Sequence, residues 1–229
     1  GAVPIVVSRD SGHLAKAVQA IQDSSGVKAL SVQADLGAAG SAEHLFQEVG
    51  PVDVLVNSAG AARRTPLAEL TPQAWHDAMQ AKFFSYIHMI TPTIQRMAAR
   101  RKGVVVNVIG QGGKVASPIH LPGGSANAAL MLATAGLAAG YADQGVRVNA
   151  VNPGLTATDR LYEGFRAESK VNGLSMEEQL AKAQARQPMK RLPEPREIAD
   201  AVVFLASARA SYVTGVNLTM DGALTPIVV

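Results

Sequence analysis

Short runs of β-branched residues alternate along this chain with longer segments whose apolar positions recur at helical spacing. The runs at 3–7, 29–33, 52–56, 104–109, 146–151 and 216–220 are apolar nearly throughout, so each predicts a strand covered on both faces. Segments 11–22, 41–49, 72–100, 124–142, 176–186 and 195–206 predict helices, and Pro92 inside the long third one is expected to kink or divide it. Strand and helix in alternation is the pattern of βα units. It predicts an α/β fold, a doubly wound parallel sheet in three αβα layers, as one domain spanning 1–229.

Composition narrows the function. Apolar residues fill 48% of 229 positions and charged residues 17%, enough to bury one core and too apolar for disorder. The formal charge is +3, and the basic groups Arg63-Arg64, Arg100-Arg101-Lys102 and Lys190-Arg191 are scattered rather than gathered in a stripe, so neither nucleic acid nor a membrane surface is an expected partner. The absence of cysteine removes disulfides, thiolate catalysis and cysteine metal sites together, and fits a cytoplasmic protein. The longest uncharged stretch, 115–142, has the length of a membrane span. Pro118, His120, Pro122, Asn127 and several glycines within it argue against that reading. The chain opens on Gly1 with only a short apolar run, so no signal peptide is expected.

Two segments keep alternatives open. The alanine-rich helix at 124–142 carries Gly136 and Gly140, which suits either tight packing on the sheet or a contact between subunits of a homodimer or homotetramer. Charged residues crowd 159–191, so 159–193 reads either as a substrate lid inserted near the C-terminus or as an inert surface excursion.

Open parallel sheets bind ligands beyond the carboxyl ends of their strands. There the chain places Ser8-Arg9-Asp10, Asp35-Leu36, Asn57-Ser58-Ala59-Gly60, and Asn152-Pro153-Gly154-Leu155-Thr156-Ala157-Thr158. Together with Arg147-Val148-Asn149-Ala150-Val151 before the last of these, Pro193-Glu194-Pro195-Arg196-Glu197-Ile198-Ala199, Thr214-Gly215 and Asp221-Gly222, they resemble the short-chain dehydrogenase/reductase family over nearly the whole chain. The resemblance implies a Rossmann-like fold, a nicotinamide cofactor and a small carbonyl or alcohol substrate. It implies that Asp35 accepts a hydrogen bond from the adenine amino group, with Leu36 beside it, unless Asp35 is only a helix N-terminal or turn aspartate, and that Ala59 and Gly60, after Asn57, let a ribose lie against backbone. Pro153 and Gly154 would form a turn presenting Thr156 and Thr158 to the nicotinamide amide or a phosphate, unless these hydroxyls only satisfy local backbone. Arg9 stands where the family places a group that reads the adenosine ribose. A guanidinium there favours the 2′-phosphate of NADP over NAD, although an Arg9–Asp10 surface pair is the alternative.

Two departures stand out. The family's phosphate-cradling Thr-Gly-x-x-x-Gly-x-Gly is not in the chain, and 1–10 matches the family's second strand, so the first strand-helix unit is missing. That strand would lie between the runs at 3–7 and 52–56, and its absence would leave two apolar sheet edges. About 25 to 35 further N-terminal residues are therefore expected in the whole protein.

The second departure is catalytic. The family's Ser falls on Gly110, its Tyr on Gly123, its Lys on Asn127 and its Asn on Lys82. The last two replacements are reciprocal, so the pocket keeps one ammonium and one amide. Lys82 is then expected to supply the positive charge or the proton, and Asn127 to hold the ribose or a water, the alternative being that Lys82 is an ordinary solvated or ion-paired residue. His120, three residues before Gly123, is a candidate acid-base group. Tyr86 is followed four residues on by Ile90 and Tyr141 by Gly145, so neither forms Tyr-x-x-x-Lys. No metal site is predicted, since no H-E-x-x-H or similar spacing occurs, and no Gly-x-Ser-x-Gly points to a hydrolase. Two readings stand: an NADP-preferring oxidoreductase with an atypical centre, or a catalytically silent nucleotide-binding or scaffold protein of the same fold.

Overall fold

A computed structural model describes residues 1–60 and 63–227, apart from the side chains of 167 and 170–172. Its strands and helices alternate as the apolar pattern requires. β1 (Ile5–Ser8) leads into α1 (Ser11–Ser25), β2 (Leu30–Gln33) into α2 (Ser41–Val49), and β3 (Val54–Asn57) into α3 (Pro72–Ala78). A π-helical turn, Met79–Phe84, joins α3 to α4 (Ser85–Ala99). Then follow β4 (Gly103–Val108), α5 (Leu121–Tyr141), β5 (Val146–Pro153), α6 (Asp159–Asn172), α7 (Met176–Ala185), α8 (Pro195–Ala206) and β6 (Asn217–Met220).

All pairings are parallel, but they form two sheets, β1-β2 and β3-β4-β5-β6. β1 and β3 each lack a second partner among the described residues, and the β3 side chains Val54 and Val56 are exposed. These are the two edges that the sequence pattern predicts. α2 and α4 hold the sheets to one another through a cluster of Val32, Leu45, Phe46 and Met89, against which Ile5 and Val7 of β1 and Leu55 of β3 pack.

Alternation along the strands separates the layers. Val105, Val148 and Ala150 pack under α4 and α5 with Ile90, Ile94, Met97 and Leu130, while Val106 and Val151 face α8 through Ile198, Val202 and Leu205. Fully burying one such aliphatic side chain stabilises the fold by about 1.5–3 kcal/mol. Among the described residues no helix is long and apolar enough to cross a membrane.

One sequence expectation needs correction. The long helix is not divided at Pro92, through which α4 runs. Its interruption is the π turn, where an extra residue per turn rotates the Lys82 side chain into the protein. The charge-dense stretch holds two helices, α6 and α7, which pack on each other. Thr158 caps α6 by accepting the Leu161 N–H, and Ser175 with Glu178 forms a capping box on α7. On α5 the small residues divide between the sheet and the outer face, Ala138 packing in the cluster with Val105, Val148 and Ala150. Ala126, Leu130, Met131, Thr134 and Ala138 are buried, whereas a Cβ placed on Gly136 or Gly140 would meet nothing within 4 Å.

Candidate active site

Sequence signals at the tips of β1 and β2 resolve into two turns. Asp10 caps α1, its Oδ1 accepting the His13 N–H at 2.7 Å, and this hydrogen bond holds its carboxyl below the usual range. The expected Arg9–Asp10 surface pair does not form, and among the described residues the exposed Arg9 guanidinium has no ion-pair partner. Gln33 fixes the Arg9 backbone instead, donating through Nε2 to its carbonyl at 2.8 Å. Asp35 closes its own turn by accepting the Gly37 N–H at 2.9 Å. Its remaining carboxylate oxygen stays available beside Leu36.

After β3, Asn57 is buried and knits three elements together. It donates to Asn107 on β4 at 2.9 Å, Asn107 donates to Thr134 on α5 at 3.0 Å, and Thr134 donates to the Leu130 carbonyl at 2.8 Å. Ala59 and Gly60 follow on the surface. Gly60 has φ +80°, and a Cβ there would lie 2.1 Å from the Ala81 carbonyl oxygen, so only glycine lets this backbone press against the π turn. Ser85 satisfies that turn by donating to the Ala81 and Lys82 carbonyls. After β5, Pro153 and Gly154 turn the chain; the Thr156 hydroxyl donates to the Gly154 carbonyl, and Thr158 is occupied as the α6 cap. Both threonines thus do local backbone work.

The catalytic candidates converge at the end of β4. Lys82 is 7% exposed and has no carboxylate partner among the described residues. Its Nζ donates to the Tyr86 hydroxyl at 2.9 Å and to the Val108 carbonyl at 3.1 Å, and lies 4.5 Å from the Tyr86 ring centre. Burial, with a smaller push from Arg160, brings the Lys82 ammonium down to about 8. Tyr86 gives its own proton to Val108 O at 2.5 Å, and burial moves its phenol upward. Sequence reasoning looked only downstream of Tyr86 and missed this pair. Lys82 lies four residues upstream, so Lys-x-x-x-Tyr puts the same two groups one turn apart in reversed order.

Two residues beyond Val108, Gly110 adopts φ +127°, a conformation that side chains rarely tolerate, and a Cβ there would stand 3.3 Å from Asn127 Nδ2. Asn127 is 6% exposed, and its amide makes no side-chain hydrogen bond. Gly112 lies between Asn127 and the His120 ring, the added Cβ meeting them at 3.5 and 3.3 Å. His120 Nδ1 is buried and unpaired, and burial, then Arg64 and Arg160, lower its pKa. Lys82, Asn127 and His120 therefore belong to one region, with the π turn packed against α5. No cluster of three or more metal-ligating side chains occurs among the described residues.

The family model described as enoyl-(acyl carrier protein) reductase matches residues 1–225. The chain belongs to the short-chain dehydrogenase/reductase family. It is 33% identical to the A-factor type gamma-butyrolactone 1′-reductase of Streptomyces virginiae, over 98% of this chain and 86% of that one. It is 35% identical to the cis-4-hydroxycyclohexanecarboxylate dehydrogenase of Sinomonas cyclohexanicum, over 96% and 80%. Among solved structures it resembles an NADPH-bound short chain oxidoreductase from Pseudomonas aeruginosa PAO1, described as containing an atypical catalytic center. That likeness has a TM-score of 0.86 at 29% identity, over 100% of this chain and 89% of the other. Family membership makes the chain one of a set of oxidoreductases.

Proposed function

We propose that the chain is an NADP-preferring oxidoreductase that reduces a carbonyl or oxidises the matching alcohol, with Lys82 as its proton-handling group. The observation that carries this reading is Lys82 itself, an ammonium buried without a counter-charge, with a pKa brought down to about 8. Burial of such a group is costly unless its charge is used, and a pKa near working pH is what a general acid needs.

NADP fits the residues present at its adenosine end. The unpaired Arg9 guanidinium suits a 2′-phosphate, Asp35 keeps an oxygen for the adenine, and Gly60 leaves backbone bare beside the π turn. Asn57 contributes by fixing β3, β4 and α5 relative to one another. When bound, NADPH supplies the hydride.

The chain's own residues do the rest. Lys82 spends two N–H bonds on Tyr86 and Val108, which leaves the third for a carbonyl oxygen. Its positive charge stabilises the alkoxide that forms and its proton neutralises it. Tyr86, with its proton committed to Val108 O, is a positioning residue that holds Nζ in place. The Asn127 amide orients a ribose hydroxyl, a water or the substrate. His120, whose buried Nδ1 has no partner, returns a proton to Lys82 on this reading. α6 and α7 together act as the lid over this mouth.

The test is a titration of the chain with NADPH and NADH, followed by absorbance loss at the nicotinamide band across a carbonyl panel. Turnover that Lys82→Met abolishes supports the enzyme. Turnover indifferent to that change removes Lys82 from the mechanism, and tight binding with no turnover leaves the silent, nucleotide-holding alternative.

A further inference from the structure

The single helical turn Gln111–Gly113 leaves β4 three residues after Val108, whose carbonyl accepts from both Lys82 and Tyr86. It lies flush against the start of α5. A Cβ on Gly113 would stand 2.8 Å from the Asn127 carbonyl carbon, and one on Gly124 would stand 2.7 Å from the Gly112 carbonyl oxygen. On its other side Gly112 abuts the His120 ring. Whatever fixes this turn therefore also seats Asn127 and His120.

The turn cannot fix itself. Within 110–113 only Gln111 carries a side chain, and glycine gives up more backbone freedom on ordering than any other residue. Its anchors come from the tips of β5 and β6. Gln111 Nε2 donates to Asp221 Oδ2 at 2.7 Å and to the Thr225 hydroxyl, while Oε1 lies 3.3 Å from the position of a Cβ on Gly154. At the far end of the turn, Lys114 Nζ donates to the Asn217 carbonyl at 3.1 Å and to the Thr219 hydroxyl at 3.0 Å. Asp221 is suited to receive the first anchor. It is buried, and among the described residues it has no ion pair. A carboxylate so placed is costly unless hydrogen bonds satisfy it. Three N–H donors do so, those of Ala223 at 3.1 Å, Thr225 at 3.0 Å and the Gln111 amide. The turn after β4 and the C-terminal turn at 221–225 thus form one hydrogen-bonded unit.

Resting on the reading of Lys82 and Asn127 as the reactive side of the site, we infer that Gln111 is a positioning residue. Tied to Asp221, it holds the glycine turn against α5 and so sets where Asn127 and His120 stand. It acts through the turn and touches no reacting atom.

The test is an exchange of partners across the Gln111–Asp221 bond, read on the full chain. Gln111→Glu sets two carboxylates against each other, so kcat is expected to fall by about tenfold while KM for NADPH stays within about twofold. Adding Asp221→Asn restores an amide–carboxylate bond in the reverse sense, and kcat should return to within about threefold of the wild type. Amide hydrogen exchange, followed by mass spectrometry over 109–116 and 120–128, should rise in the single variant and recover in the double one. A role of Asp221 confined to its own turn predicts no such recovery. If Gln111→Glu does not fold, Gln111→Ala replaces it, with the same loss of kcat and the same rise in exchange expected. A kcat indifferent to loss of the Gln111 amide, or a double variant no better than the poorer single one, overturns the inference. If no carbonyl is turned over, the oxidoreductase reading fails and exchange decides: a rise that the second substitution reverses supports the anchor, and exchange over 120–128 indifferent to the Gln111 change overturns it.

Discussion

The tips of β1 and β2 and the end of β4 handle charge in opposite ways. At the first, charged side chains sit in solvent on local turns, Asp10 capping α1, Asp35 closing its own turn, and Arg9 unpaired. At the second, one ammonium is buried between a helix and a strand, held by a phenol and a carbonyl rather than by a carboxylate. An exposed guanidinium is open to a partner from solvent, whereas burial alters the proton affinity of an ammonium. On the proposed function, the fold separates recognition from reactivity by solvent access.

The largest effect should come from the buried side. Lys82→Met keeps the apolar stem and removes the proton, so turnover should fall by about 10²- to 10⁴-fold while NADPH affinity, measured by fluorescence titration, holds. Equal loss of both would mean that Lys82 shapes the cofactor site instead. The pH profile sharpens this. With Lys82 brought down to about 8, carbonyl reduction should decline about tenfold per pH unit above that value, and alcohol oxidation should rise toward it.

Stability carries the same signature with its own sign. The Lys82 pKa is lowered on folding from 10.5 to about 8, so the folded state bears the full penalty of the charged amine below pH 8. Between about 8 and 10 the unfolded chain binds the extra proton, and stability should rise with pH by on the order of 3 kcal/mol at most. Above that window Tyr86, whose pKa is raised on folding, acts in the opposite direction. Denaturant midpoints in that window should climb for the wild type, and the climb should vanish in Lys82→Met.

The exposed side should respond next. Arg9→Ala removes an unpaired guanidinium, so NADPH binding should weaken by about 10- to 100-fold, the value of charge-assisted contacts to a phosphate, while NADH binding stays unchanged. Parallel weakening of both cofactors would place Arg9 away from the 2′-phosphate. Tyr86→Phe should be milder. It deletes a buried hydroxyl that accepts from Lys82 and donates to Val108, costing about 1 kcal/mol of stability and about tenfold in turnover. As a positioning residue Tyr86 should also move the pH profile, because Lys82 loses one of its two partners.

Legibility in the sequence followed the same division. Strands, most helices and the cofactor-side turns could be read because apolar runs and turn residues act locally. The two edges at β1 and β3 were readable from a missing motif. The Lys82–Tyr86 pair was not, because its meaning lies in the π turn, which no propensity announces, and in a carbonyl contributed from 26 residues away. Sequence position also cannot show that Gly110 is more than a missing hydroxyl. Its φ of +127° means that Gly110→Ser would strain the backbone rather than restore the family's side chain. α6 escaped notice because its charges mask the apolar face that buries Phe165.

The smallest expected effect tests whether Arg9 is as free as the structure shows. Asp10→Asn retains an amide oxygen able to accept from His13, so α1 keeps its cap and the melting temperature should hold. The negative charge beside Arg9 disappears. If that charge already belongs to the α1 terminus, NADPH affinity should tighten by less than about threefold, as expected for a screened charge near the surface. A tightening of tenfold or more would show that Asp10 competes with the cofactor for the Arg9 guanidinium. The contrast between an unpaired recognition group and a buried reactive one would then have to be redrawn, because the Arg9 guanidinium would already have a counter-charge.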